Sequence, residues 1–561
     1  MKRLMKAIIA TLMLISLTAC SYTTDVRDTA TNIKYKTLSK EDAKLELETL
    51  LTEVPVTEIT NPTLDIYMEQ ESDKVSLADI STFDLPVQGK GQINIEIAAA
   101  TELSQSAPDD WINVIAESFN REKFTVNGKQ VSVSIRAINS GEVVTYVNAG
   151  AYMPNVFIPS NYIWGIMLES SGVGINKITD RIAGNTAGIL MKEDVHKTFV
   201  EKYKEVNVSN ILKAANAGDI VFAYTNPYTS STGINALTSM LYEFDKNDPL
   251  SSKASTALLE YQKNSPPVAY NTSVLRNQAA KGLVDVMVME EQSYINTTEL
   301  RNYEYVPFGV RHDHPVYTFG WNTEEQNEAA QMFVDYCLTE KSQKLATDKG
   351  FNRNESYKSH DTGLTGTEYF MAQSIWKENK TGGKPIVAVF IADTSGSMSG
   401  EPLATLQSSL IDSTPYIGDG HYVGLVSFES GVTINLPIKE FDSKQRAYFA
   451  GEVKNMIANG GTNTYDAVLV ALDMIQKKME EVPDATPLIF LLTDGERTGG
   501  YRMDRIAPIV LGMEVPIYSI AYNYSSMNEL IELSNLNEAA SVRADSYDIV
   551  NHLRNLFSTQ L

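Results

Sequence analysis

The sequence predicts an α/β protein. Short apolar runs alternate with helical patterns along most of its 561 residues, an order that builds largely parallel sheets flanked by helices. The alternation runs from about residue 90 to 355, breaks at Asn379-Lys380-Thr381-Gly382-Gly383-Lys384-Pro385, and then restarts. Gly and Pro in that break mark a linker. The length suits roughly two to four folding units.

Residues 21 to about 88 are polar and rich in Thr, Asp, Glu and Lys. One amphipathic helix is expected at 40–51, and the remainder reads as a tether and spacer. Strands are then expected at 93–100, 131–138, 155–159, 219–225, 284–290 and 316–321, with helices at 111–120 and 325–347. A stretch of that length suits two lobes. Beyond the break, strands at 386–392, 422–428, 488–493 and 517–522 alternate with helices near 402–414, 443–457, 464–480, 503–512 and 526–535. Residues 432–438 read as an edge strand, because Pro437 cannot sit inside a ladder. No internal repeat stands out.

Hydrophobic content of 43% and charged content of 21% are ordinary for folded protein. The formal net charge of −23 argues against nucleic acid or anionic lipid as the main partner.

At the start of the chain, Lys2, Arg3 and Lys6 precede an apolar stretch over 7–17. It is too short to span a membrane and right for an export signal. Leu17-Thr18-Ala19-Cys20 resembles a bacterial lipobox. The resemblance implies cleavage before Cys20, a diacylglycerol on its sulfur, and a mature protein anchored to the outer face of a bacterial cell membrane. The alternative is an ordinary signal peptide. Only one other cysteine exists, Cys337, so a lipidated Cys20 leaves no intrachain disulfide. Cys337 lies in an apolar helical pattern and reads as a buried, inert thiol.

Three separate fragments carry the chemistry. Asp393-Thr394-Ser395-Gly396-Ser397 follows one apolar run, Gly460-Gly461-Thr462 precedes a helical pattern, and Thr493-Asp494-Gly495 follows a second apolar run. Within them Asp393 and Asp494 offer two carboxylates and Ser395, Ser397 and Thr462 three hydroxyls, an all-oxygen set for a hard divalent cation such as Mg²⁺. Taken singly, each fragment could be only a helix cap or a turn. In this order they resemble the metal-ion-dependent adhesion site of von Willebrand factor A domains, over 384–561. The resemblance implies a Rossmann-like domain with a central, mainly parallel sheet flanked by helices. It also implies that Ser395, Ser397 and Thr462 coordinate the metal directly, while Asp393 and Asp494 act mostly through water. A partner protein would present an Asp or Glu to the open position.

Residues 90–355 resemble the two-lobed extracellular solute-binding proteins of ABC importers. Four stretches carry this: 95–104 as a first strand and loop, Asn155-Val156-Phe157-Ile158-Pro159-Ser160, Asn226-Pro227-Tyr228-Thr229-Ser230-Ser231-Thr232-Gly233, and 333–338 with Gln343 and Gly350-Phe351. Hydroxyl-rich loops that open helices can bind an anion, which singles out Thr101, Ser140, Ser160, Ser231 and Thr232. Each also reads as a simple N-cap. Glu290 and Glu291 read as a solvated pair near the hinge. His312-Asp313-His314, next to Pro315, reads as an exposed loop, although on a strand both rings would share a face and could hold a transition metal.

The expected division is therefore a signal peptide at 1–19, a lipid-anchored tether at 20–88, a solute-binding-like domain at 89–356, a linker at 357–383 and an A domain at 384–561. No local motif supplies a phosphate loop, a zinc-protease helix or a positioned general base, so the chain reads as a non-enzyme. The leading expectation is a cell-surface lipoprotein that binds a protein partner through Mg²⁺, with the solute-binding-like module as a second recognition site. The competing expectation is the substrate-binding lipoprotein of an ABC importer with an accessory A domain.

Overall fold

The structure is a computed structural model. It describes residues 35–65, 77 and 79–544, except 265, 270–271, 273–274, 277–278, 280–283, 419, 496, 523–527 and 538–540. The expected export signal and Cys20 lie outside the described residues.

Three sheets organise the described residues. The first has six strands in the order Thr125–Val126, Lys129–Ala137, Ile93–Ala99, Val156–Ile158, Val316–Phe319 and Ile175–Thr179. The second has five, in the order Tyr303–Arg311, Thr186–Lys192, Val286–Glu290, Phe222–Thr225 and Val268–Ala269. Each sheet centres a lobe. The chain crosses between them twice, after Thr179 and after Arg311, as the two-lobe expectation requires.

The expected helix over 325–347 is two helices, Glu324–Cys337 and Glu340–Asp348. Thr339 separates them and caps the second by accepting from Ser342 N. Both pack on the first lobe, and Cys337 is fully buried there among Phe333, Val334 and Phe351. Burial raises its thiol pKa far above the ordinary range, in keeping with an inert role.

The segment 357–383 is not all linker. Gly366–Asn379 is a helix opened by a capping box, in which Thr365 and Glu368 satisfy each other's backbone N–H groups. Its Tyr369 and Trp376 are buried, and the helix packs on Ile163–Ser170 of the first lobe and on Ser231–Phe244 and Ser252–Gln262 of the second. Its apolar residues serve neighbours on several sides, so no single stripe marks it in the sequence.

The carboxy-terminal sheet has seven strands in the order Val56–Glu58, Val432–Glu440, Tyr422–Phe428, Ile386–Asp393, Thr486–Thr493, Ile517–Tyr522 and Ser541–Ala544. All neighbours are parallel except Tyr422–Phe428 with Val432–Glu440. Ile386–Asp393 is buried along its whole length, as a central strand covered on both faces must be.

The first strand of that sheet comes from the opposite end of the chain. Residues 39–65, expected as tether, are built into the carboxy-terminal region. Val56–Glu58 pairs with 432–434, so Val432–Glu440 is not the edge strand. The covering strand stops short of Pro437, which still has no ladder partner on that side. Lys40–Leu51 is the expected amphipathic helix, capped by Ser39, and its Ala43, Leu47 and Leu50 are buried against Met503–Met513 and Thr464–Glu481. Gly512 permits the close crossing: a Cβ there would lie 2.7 Å from Ala43 Cβ. Further on, Thr63 N donates to Glu452 Oε1 at 2.6 Å and Asp65 pairs with Lys454. The solute-binding-like lobes are thus inserted between two parts of one sheet unit.

Candidate functional site

Parallel pairing carries Asp393 and Thr493 to the same rim, since each ends its own strand and the two strands are neighbours. Ser395 N donates to Asp393 Oδ1 at 2.8 Å and Thr493 Oγ1 donates to Asp393 Oδ2 at 2.5 Å. Ser397 Oγ donates to Asp494 Oδ1 at 2.8 Å and lies 3.1 Å from Ser395 Oγ. A Cβ built on Gly495 would lie 3.6 Å from Ser397 Oγ and 4.0 Å from Thr462 Oγ1, so Thr462 reaches the same point. Its loop is held there by Gly396 N to Gly460 O at 3.1 Å and Asn459 N to Thr394 O at 2.8 Å. Thr498 fixes Thr462 itself: Thr462 N donates to Thr498 Oγ1 at 2.7 Å, and Thr498 N donates back to Thr462 O at 3.0 Å. Met398 is fully buried below the turn. All five residues singled out in the sequence meet at one rim.

The electrostatics fit a cation. Burial pushes Asp393 above the ordinary carboxylate range despite hydrogen bonds from Ser395 and Thr493, and Asp494 adds to the rise. Burial raises Asp494 as well. Among the described residues no basic side chain offsets either. No group of three or more His, Cys, Asp or Glu among the described residues is placed to hold a metal. This rim instead mixes two carboxylates with three hydroxyls, which suits a hard cation that keeps part of its water shell.

A second candidate lies between the lobes. Thr101, Ser140 and Ser160 from the first lobe and Ser231 from the second line a cavity of about 20 Å³. Thr232 does not reach it: its Oγ1 is buried in the second lobe, 2.8 Å from Thr225 Oγ1 and 2.9 Å from Ser230 Oγ. None of the five is an N-cap; the caps of the helices concerned are Ala100, Asn139, Tyr162 and Ser230. The cleft is closed. Trp164 Nε1 donates to Ser231 Oγ at 2.8 Å, Gly141 N to Thr229 O at 3.2 Å, and Gln292 Nε2 to Asp109 Oδ1 at 2.7 Å.

Sequence reasoning missed the carboxylates of this cleft. Glu102, Asp109 and Glu290 all line it. Asp109 is paired with Arg276 at 3.0 Å. The exposed-loop reading of 312–314 is corrected, for His312 and His314 are fully buried. They do not share a metal site, because each faces a different glutamate. His314 Nε2 is 3.2 Å from Glu102 Oε1, with its Nδ1 2.8 Å from Ala183 O. His312 Nδ1 is 3.6 Å from Glu290 Oε1, and its Nε2 faces Asn161 Nδ2 at 3.2 Å. Glu290 and Glu291 are likewise buried rather than solvated. Glu290 ends strand Val286–Glu290 and lines the cleft, while Glu291 accepts from Asn354 Nδ2 at 2.8 Å. The signal available in the sequence was position: Glu102 lies three residues past the end of one strand and Glu290 closes another, where open α/β sheets place their ligands.

Two family models match this chain in tandem. One is the bacterial extracellular solute-binding protein, over residues 101–352. The other is the von Willebrand factor type A domain, over 388–556. The fold is accordingly a two-lobed, periplasmic-binding-protein-like region followed by an A region. Among curated proteins, inter-alpha-trypsin inhibitor heavy chain H3 of Mus musculus is 29% identical over 182 residues, covering 29% of this chain and 20% of the relative. Heavy chain H4 of Homo sapiens is 33% identical over 124 residues, covering 21% of this chain and 13% of the relative. The chain thus spans a fifth or less of these relatives.

Among solved structures, a von Willebrand factor type A protein from Catenulispora acidiphila is 20% identical with a TM-score of 0.29, covering 31% of this chain and 42% of that one. Iron-bound HitA from Pseudomonas aeruginosa is 14% identical with a TM-score of 0.37, covering 52% and 99%. The sulfate-binding protein SubI from Mycobacterium tuberculosis is 14% identical with a TM-score of 0.34, covering 51% and 92%. No described helix is long and apolar enough to cross a membrane.

Proposed function

We propose that the A region binds a protein partner through Mg²⁺ held by Asp393, Ser395, Ser397, Thr462 and Asp494. The observation that carries this reading is the meeting of Asp393 and Asp494 with three hydroxyls at one rim, where burial raises both carboxylates and no basic side chain among the described residues offsets it. A bound Mg²⁺ supplies positive charge and a position open to a partner's Asp or Glu. Asp393 anchors the turn by accepting from Ser395 N and Thr493 Oγ1, which leaves the Ser395 and Ser397 hydroxyls facing the rim. Ser397, exposed at the surface, is where a partner carboxylate gains access. The reading is of a binding protein rather than an enzyme, tied to the outer face of a bacterial membrane through Cys20. The test is calorimetry with Mg²⁺ on the full chain beside Asp393→Ala, followed by pull-down from membranes with and without chelator. Equal Mg²⁺ binding by the two proteins overturns the reading.

A second reading, recognition of a small solute, rests on the polar cavity between the lobes. It makes the same protein a receptor for two ligands, one between the inserted lobes and one at the rim of the A region, or the substrate-binding component of an importer.

A further inference from the structure

Thr462 is held differently from the other four rim residues. Asp393, Ser395 and Ser397 share one turn, and Asp494 directly follows its own strand. Thr462 instead lies in the loop between helices Ser443–Lys454 and Thr464–Glu481. Besides the Asp393 turn, that loop leans on two supports. One is the stretch 498–501, where Thr498 exchanges backbone bonds with Thr462. Asp466 ties the two together, accepting from Tyr501 N at 2.8 Å and from Asn463 Nδ2 at 3.3 Å. Asp466 is 4% exposed, and a Cβ on Gly500 would lie 2.6 Å from its Oδ1, so the seating is close. The other support is the turn 429–431. Gly461 N donates to Ser430 Oγ at 2.8 Å, Asn463 N to Glu429 O at 2.9 Å and Asn463 Nδ2 to Ser430 O at 2.8 Å.

Both supports are bonded in turn to residues 50–55. The Tyr501 hydroxyl faces Leu50 O at 3.1 Å and Glu53 Oε2 at 2.9 Å. Val432 N, at the foot of the 429–431 turn, donates to Pro55 O at 2.9 Å. The short connection between helix Lys40–Leu51 and strand Val56–Glu58 therefore grips the Thr462 loop from two sides. Apolar burial of Ala43, Leu47 and Leu50 docks the helix, and Glu46 pairs with Arg505 at 2.6 Å.

We propose, on the reading above that the rim holds Mg²⁺, that the seated amino-terminal segment sets the affinity of the metal site. Residues 50–55 fix Tyr501 and the 429–431 turn, and these fix Thr462 at the rim. Tyr501 and Asp466 are positioning residues, acting through Thr498 and Asn463. Coupling between two sites is reciprocal, so Mg²⁺ tightens the docking of helix Lys40–Leu51 by the same factor.

The test reads Mg²⁺ calorimetry on the full chain, together with hydrogen exchange of the Lys40–Leu51 amides in chelator and at saturating Mg²⁺. Tyr501→Phe and Gln445→Ala are measured beside wild type. Gln445 is buried and donates to Val423 O at 3.2 Å and Pro437 O at 3.0 Å. Val423 lies near the start of its strand, away from the rim, so Gln445→Ala reports lost stability in the same sheet unit. Tyr501→Phe is expected to bind Mg²⁺ about fivefold or more weakly, and Gln445→Ala as wild type does. Mg²⁺ is expected to slow exchange in the helix by a similar factor in wild type and by less in Tyr501→Phe. Equal affinities in wild type and Tyr501→Phe, with helix exchange unmoved by the metal, overturn the coupling and leave the metal site standing. Equal weakening in both variants makes the effect one of stability and also overturns the coupling. A wild type that binds no Mg²⁺ removes the metal reading and the coupling together. Where Tyr501→Phe does not fold, Asp466→Asn is read in its place, because the amide keeps only one of the two acceptor oxygens.

Discussion

The hydroxyl of Tyr501 donates to the carbonyl of Leu50 at 3.1 Å, joining residues 451 positions apart. Leu50 lies near the end of the amino-terminal helix, and Tyr501 lies in the loop that follows Asp494. The same hydroxyl is 2.9 Å from Glu53 Oε2. Tyr501 N donates to Asp466 Oδ1 at 2.8 Å, and Thr498, three residues earlier, holds Thr462. The segment expected to tether the protein is thus bonded to the loop that shapes its candidate metal rim.

That segment is expected to be a structural part of the A region. Leu47 is fully buried in its contact with the A region's helices. Leu47→Ala should cost about 2–5 kcal/mol, the range for a large buried aliphatic side chain, and chemical denaturation followed by circular dichroism will measure it. A loss below about 0.5 kcal/mol, the scale of a neutral surface change, would mean that the helix is an ornament on an A region that folds without it. A fragment limited to 384–561 should accordingly be less stable than one that also supplies 38–65.

Asp393→Ala should abolish most Mg²⁺ binding while the fold survives. The residue sits at the end of its strand and burial already raises its pKa, so removing a desolvated carboxylate offsets the loss of the bonds it accepts from Ser395 N and Thr493 Oγ1. Unfolding midpoint and calorimetric Mg²⁺ affinity, measured on one preparation, should move independently. A collapse in the midpoint would make Asp393 a structural residue first.

Gly141 should report on lobe closure. A Cβ at that position would lie 2.0 Å from Tyr228 O on the opposite lobe, a backbone atom that cannot turn aside. Gly141→Ala should hold the lobes apart, increasing the radius of gyration in solution scattering. An unchanged radius and unchanged stability would show that the lobes meet differently.

The acid limb of stability should depend on Glu102. Burial acts to raise its pKa, but the hydrogen bond and charge of His314 outweigh that and hold it below its ordinary 4.5. A carboxylate depressed in the folded state stabilises above its unfolded pKa, and that stabilisation is lost as pH falls through the lower folded value. Glu102→Gln should therefore flatten the pH dependence of Tm below about pH 4.5 and lower stability at neutral pH. An acid limb as steep as wild type would place the titration elsewhere.

Membrane anchoring is expected to follow Cys20. Cys20→Ala should release the mature protein from the membrane fraction, since on the proposed reading acyl chains at Cys20 supply the anchor. Retention after a salt wash would mean that another segment holds it.

By itself the sequence determined the α/β class, the two-lobed and A-type regions, and the five residues of the rim. These were legible because each rests on local order: strand–turn–helix fragments, apolar runs of strand length, and hydroxyls and carboxylates fixed in short motifs. Asp393-x-Ser395-x-Ser397 needs only its own turn to project its donors together. Tertiary structure decided the rest. Val56–Glu58 reads as polar loop because its three residues are exposed and too few to show alternation; only the ladder offered by 432–434, far along the chain, makes it a strand. The helix Gly366–Asn379 carries a legible cap at Thr365 and Glu368 but no single apolar face, because two lobes share its burial. Glu102, Glu290, His312 and His314 look like ordinary surface polar residues in sequence. The crossing of the chain between the lobes turns them inward, where each carboxylate faces an imidazole, and low dielectric gives those pairings a weight that no spacing could reveal.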